Sequence, residues 1–133
     1  MEILIAIVLA FVIMDVIIVA YVVYRRLNKK IPKKVIDDVR DSWKKIIKQQ
    51  DHRHAIMDAD NLLDQTLTKL GLKGNLGTKL KKAPRLFSDI NGLWIAHKIR
   101  NNIAHQINYS VDERAYKKTM LAFKQAFKDL KIF

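Results

Sequence analysis

The residues best suited to chemistry lie together in the second half of the chain, over residues 93–105, LWIAHKIRNNIAH. His97 and His105 offer imidazoles, whose ordinary pKa of about 6.5 suits proton transfer near neutrality. Arg100 offers a cation that stays charged at any physiological pH, and Asn101 sets an amide beside it. On a helix turning about 100° per residue, Ile95, Ile99, Ile103 and Ile107 fall on one stripe, with His97, Arg100, Asn101, Ala104 and His105 on the other side. One face is therefore expected to meet a core and the other a substrate or partner. Arg100 and His105 stand about 140° apart, too far for a tight pair within one helix. Asn101 and small Ala104 leave room for a second helix, and a two-fold copy would carry Arg100 of one chain towards His105 of the other. The plainer alternative is a solvated arginine and a histidine that caps a helix end.

Positioning that face falls to a chain of 133 residues whose first two dozen are set apart by composition. Residues 3–24, ILIAIVLAFVIMDVIIVAYVVY, carry a single charge. At about 1.5 Å per residue they suffice to cross a hydrocarbon core of about 30 Å. A cleaved secretory signal would need a basic start and small residues before the cut, whereas here Glu2 is the only charge ahead and the exit is bulky. The expected organisation is a retained anchor over 1–24, a basic juxtamembrane linker over 25–31 and a helical domain over 32–133. Arg25, Arg26, Lys29 and Lys30 follow the span, which predicts a cell-membrane protein with its N-terminus outside and its C-terminal domain cytoplasmic, those four residues meeting anionic lipid. Asp15 sits near mid-membrane, where an aspartate costs about 2.5–3.5 kcal/mol. It reads either as a polar contact with another membrane segment or as a charge that its apolar neighbours carry.

Charge and cysteine content narrow the partners. Lys and Arg number 25 against 13 Asp and Glu, a net charge of +12, and two of the acids, Glu2 and Asp15, lie in the apolar leader. So basic a domain is expected to attract polyanions, either nucleic acid or an anionic membrane surface. The absence of cysteine excludes disulfides, thiol nucleophiles and cysteine-based zinc sites.

Apolar spacing predicts helices over 32–50 and 53–70, the second closed by Gly71. A short helix over 78–82 is broken by Pro84. A third long helix over 89–107 is capped by Ser88 or Asp89, and a last over 111–130 is opened by a Ser110–Glu113 capping box, with Ala115, Met120, Phe123, Phe127 and Leu130 inward. No segment alternates with period two. The expected fold is all-α: one transmembrane helix, then a four-helix up-and-down bundle with a short extra helix.

Arg100-Asn101-Asn102-Ile103-Ala104-His105 resembles the signature of HEPN domains: an arginine, a polar residue directly after it, and a histidine a few residues on, on the penultimate long helix of a small α-bundle. Together with AIMDADNLLDQTLTKLGLKGNLGTKLKK upstream, it is similar to short bacterial proteins that carry one N-terminal anchor before a HEPN-like bundle. The resemblance implies a metal-independent endoribonuclease acting as a homodimer, a toxin or defence effector with an antitoxin protein as a further partner. In it Arg100 and His105 of both chains would line one cleft, His105 moving protons at the ribose 2′-hydroxyl and leaving 5′-oxygen, Arg100 neutralising phosphoryl charge, and Asn101 orienting the histidine. The alternative is a non-catalytic HEPN-like adaptor that binds RNA, anionic lipid or a protein at the membrane.

Around this motif, His97, Lys98 and Trp94 are expected to touch RNA or an interface. His52 and His54, a His-x-His pair with no cysteine and no fixed third ligand, do not make a zinc site. Asp58, Asp60 and Asp64 could reach the cleft or bind a cation, but are expected on a solvated face balancing nearby lysines. No metal or other cofactor is expected.

Overall fold

In the computed structural model, residues 1–27 and 30–133 are described, Arg26 and Leu27 by their backbone alone. Lys29 and the Arg26 side chain, both named above for lipid contact, lie outside that description. Two compact units emerge, Met1–Ile31 and Pro32–Phe133. All six α-helices and no strand occur among the described residues.

The first unit is α1, Glu2–Leu27, a continuous 26-residue helix. Its span Glu2–Arg25 is long and apolar enough to cross a membrane and is unburied. Asp15 is exposed on it like its apolar neighbours.

The second unit holds α2 (Lys33–Ile46), α3 (His52–Lys69), α4 (Leu76–Lys82), a 3₁₀ turn at Pro84–Leu86, α5 (Ile90–His105) and α6 (Glu113–Asp129). Helix α3 is its hub and packs against α2, α4, α5 and α6. Its stripe Ile56, Ala59, Leu63 and Leu67 is fully buried. Trp43 of α2 meets Phe127 of α6 edge-on, with centroids 5.5 Å apart. Each such side chain removed from water stabilises the fold by about 1.5–3 kcal/mol.

Caps set the boundaries. The Asp51 carboxylate accepts from the Arg53 and His54 amides at 2.9 and 3.2 Å. Asn75 accepts from the Thr78 amide at 2.9 Å, and so starts α4 earlier than apolar spacing alone suggests. Asp89 caps α5 through the Gly92 amide. The α6 cap is Asp112, accepting from the Ala115 amide at 2.6 Å, so the predicted Ser110 box does not form. Glu113, its intended partner, instead pairs with Lys117 at 3.2 Å.

The end of α3 follows the reading of Gly71. Its φ of +92° lets the Leu72 amide reach back to the Leu67 carbonyl and its own amide to Thr68. Helix α6 closes in the same way with Lys131, at φ +61°, in the glycine position. The Ile132 amide then bonds the Phe127 carbonyl, and Arg40 Nε donates to the Ile132 carbonyl at 2.6 Å.

Helix α5 departs most from expectation. Its isoleucines do not form one core stripe: Ile103 is buried together with Leu93 and Ala96, whereas Ile95 is 52% exposed and Ile107, beyond the end of the helix, 91% exposed. A four-residue repeat drifts about 40° per step, so three steps rotate from one side of the helix well towards the other. The 3-4 spacing of Leu93, Ala96, Arg100 and Ile103 holds its direction instead.

Ser88 clamps the entry of α5 to the end of α6, its amide donating to Asp129 Oδ2 at 2.8 Å and its hydroxyl to Oδ1 at 3.0 Å. Burial raises the Asp129 carboxyl, but hydrogen bonds from Ser88 and Gln125 and the charge of Lys131 outweigh it and hold the group below its ordinary 3.8. A carboxylate depressed in the folded chain contributes stability above its ordinary value and loses it as pH falls through the folded one. Asp129→Ala is expected to cost about 1 kcal/mol at pH 7, and the gap from wild type, measured by urea unfolding, should close as pH drops below 3.8.

Candidate functional site

An acid stands in the middle of the buried stripe of α3. Asp60, between Ala59 and Leu63, is 3% exposed, contrary to its expected solvated face. A buried carboxylate survives only if its oxygens are paired, and both partners come from α5. His97 Nδ1 lies 2.7 Å from Oδ1, and Arg100 Nε lies 3.3 Å from Oδ2. His97 and Arg100 are three residues apart, so one helix face presents both to the same carboxylate.

The two contacts differ in kind. Asp60 can only accept when ionised, so in the neutral imidazole the short bond places the His97 proton on Nδ1 and leaves a lone pair on Nε2. The Arg100 Nε contact is an ion pair without hydrogen-bond alignment, and that buried nitrogen has no hydrogen-bond partner among the described residues. The guanidinium also donates from NH1 to Asn101 Oδ1 at 3.3 Å.

These groups line a cavity of about 450 Å³ between α3, α4 and α5. Helix α4 contributes Gly77, Thr78 and Lys81, and α5 contributes Trp94, His97, Arg100 and Asn101. Trp94 stands edge-on to His97, with centroids 6.0 Å apart. Helix α4 is pinned by Lys79, only 1% exposed. Its ammonium donates to Asp64 Oδ1 and Thr68 Oγ1 at 2.6 Å and to the Asp64 carbonyl at 2.9 Å. Asp64, its side chain 35% exposed, thereby balances a lysine as expected of it, although that lysine is buried. Gly77 faces the imidazole: a Cβ there would lie 3.6 Å from His97 Nε2 and 3.7 Å from the Trp94 ring.

The residues named from sequence separate into two groups. Arg100, Asn101, His97 and Trp94 meet in the cavity. His105 is exposed as the last residue of α5 and does not line it, so one chain does not bring Arg100 and His105 together. Lys98 is exposed and borders a shallower depression beside Trp94 and Ile95. Asp58 remains exposed and accepts from Gln49 at 2.7 Å. His52 stacks on Tyr116 with centroids 3.9 Å apart, while His54 bonds Asp51 at 2.8 Å. These two imidazoles therefore serve separate partners. No grouping of three or more metal-ligating side chains occurs among the described residues.

Lys81 and Gly77 carry no distinguishing signal in the sequence, and Asp60, one of three acids able to reach the cleft, is expected from sequence on the solvated face. Asp60 carried a legible signal, since it falls in register with Ile56, Leu63 and Leu67, where a purely structural stripe would be apolar. Comparison with protein-family models, with curated proteins and with solved structures finds no match for this chain.

Removing the shared carboxylate leaves the Arg100 cation and the His97 imidazole facing the core without their common partner. Asp60→Ala is expected to cost about 2 kcal/mol in urea unfolding. Asp58→Ala, on the solvated side of the same helix, should stay within about 0.5 kcal/mol of wild type.

Proposed function

We propose that this chain is a membrane-anchored HEPN-like protein whose helical domain cuts RNA without a metal, with its N-terminus outside and the domain in the cytoplasm. The observation that carries the reading is the convergence of Arg100, Asn101, His97 and Lys81 on one cavity, two of them belonging to the Arg-Asn-x-x-x-His motif. A planar guanidinium, an ammonium and an imidazole suit a phosphodiester, whose charge grows on the phosphoryl oxygens during transfer. The net charge of +12 supports attraction of the polyanion.

His105 enters this reading through a second copy. Exposed Ile95, Ile107 and Leu121, the last 65% exposed, offer apolar surface for a homodimer that would bring His105 of one chain towards Arg100 of the other. A toxin or defence role, with an antitoxin partner, belongs to the same proposal. The alternative, a non-catalytic adaptor at the membrane, draws on one specific observation, that His105 stands outside the cavity.

The deciding assay is RNA cleavage by the full chain in detergent with EDTA. Wild type is expected to yield ends bearing 2′,3′-cyclic phosphate. Arg100→Ala and His105→Ala should each lower the rate about 100-fold or more. Cleavage by wild type with His105→Ala unimpaired removes the two-chain Arg/His assignment. No cleavage, with RNA affinity that falls steeply with salt, supports the adaptor.

A further inference from the structure

We propose that His97 is a catalytic residue of this site, the base that takes the proton from the attacking hydroxyl, and that Asp60 is its positioning residue. One chain then holds base, cation and cavity together. The inference rests on the RNA-cutting reading and goes beyond it, since the Arg-Asn-x-x-x-His motif does not include either residue.

Three features carry it. The 2.7 Å contact of Nδ1 with Asp60 fixes both the tautomer and the ring orientation, as a base requires. Nε2, the nitrogen that keeps its lone pair, lies on the side of Gly77, has no hydrogen-bond partner among the described residues, and belongs to a cavity-lining ring. A buried ionised carboxylate is also a poor choice for stability alone, because an apolar residue in the same stripe packs at less cost. Its use is to hold His97 and Arg100 one turn apart, facing one space.

The charged groups around the imidazole are Asp60 and Asp64 of α3, Asp64 being paired with Lys79, together with Lys81 of α4 and Arg100 of α5. In the step proposed, Nε2 accepts the proton of a ribose 2′-hydroxyl and the 2′-oxygen forms a bond to phosphorus. The bond from phosphorus to the 5′-oxygen breaks, and that oxygen leaves as a hydroxyl with a proton from His105 of the second copy, which regains one from solvent. The imidazolium then returns its proton to solvent. Arg100 and Lys81 balance the charge on the phosphoryl oxygens throughout.

The test compares full-length wild type, His97→Gln, Asp60→Asn and Gly77→Leu in detergent, in metal-free cleavage of a short RNA across a range of pH. A base must be unprotonated, so wild-type kcat should fall at low pH. His97→Gln is expected to lower kcat about 100-fold or more, with KM little changed and that low-pH limb absent. Asp60→Asn should lower kcat by less and, by imidazole ¹⁵N resonances, loosen the preference for the proton on Nδ1. Gly77→Leu leaves the Asp60 contact intact and fills the space before Nε2, so it too should slow cleavage. If wild type cuts and His97→Gln cuts within about threefold of it, or loses activity only by unfolding while Gly77→Leu stays fully active, the inference is overturned and the cleavage reading stands. If wild type does not cut, the cleavage reading itself fails, and this role fails with it.

Discussion

The helical domain depends on one buried charge. Asp60 occupies a place in α3 among the buried apolar residues Ile56, Ala59, Leu63 and Leu67, and ionised carboxylates are expensive in such surroundings. Compensation comes from His97 and Arg100, which fixes the rotation of α5 about its own axis: these two must face α3. Ile95 is carried outward as a result. The same logic repeats with the sign reversed at α4, where buried Lys79 is held by Asp64 and Thr68. Two charge pairs, both centred on α3, thus determine how α4 and α5 sit and so the shape of the cavity between them.

The helices themselves were largely legible in the sequence. Caps and apolar spacing locate all four long helices of the domain to within a few residues, because Gly71 and Asp89 act locally. The Ser110 box failed for an equally local reason: Asp112 offers a competing acceptor nearer the helix, and the Glu113 carboxylate engages Lys117. The orientation of α5 was not legible. Its evenly spaced isoleucines suggest a core stripe, but the pairing demand of Asp60, 37 residues before His97, turns Ile95 outward and leaves only Ile103 of the α5 isoleucines buried.

The candidate site was legible in half. Arg100 and Asn101 are read from the motif and lie in the cavity, while His105 is read from the same motif and lies outside it. The difference follows from helix geometry, since five residues along a helix turn about 140° away. His97, one turn from Arg100, keeps the same direction and meets the same carboxylate. What pattern matching assigns to neighbours in sequence, the helix assigns to neighbours on a face.

The closing segment of the domain bears on how the chain is made. Phe127, Leu130 and Ile132 are buried core residues, and the Ile132 carbonyl is the acceptor that ties Arg40 of α2 in place. During synthesis α2 can meet α3 as soon as that next helix follows it, but the Arg40 bond to the Ile132 carbonyl waits for 92 further residues, roughly 5–20 s at ordinary rates of elongation. Throughout that interval Trp43 lacks its contact with Phe127. The packing of the domain's first helix is thus completed only with the arrival of the final turn of α6.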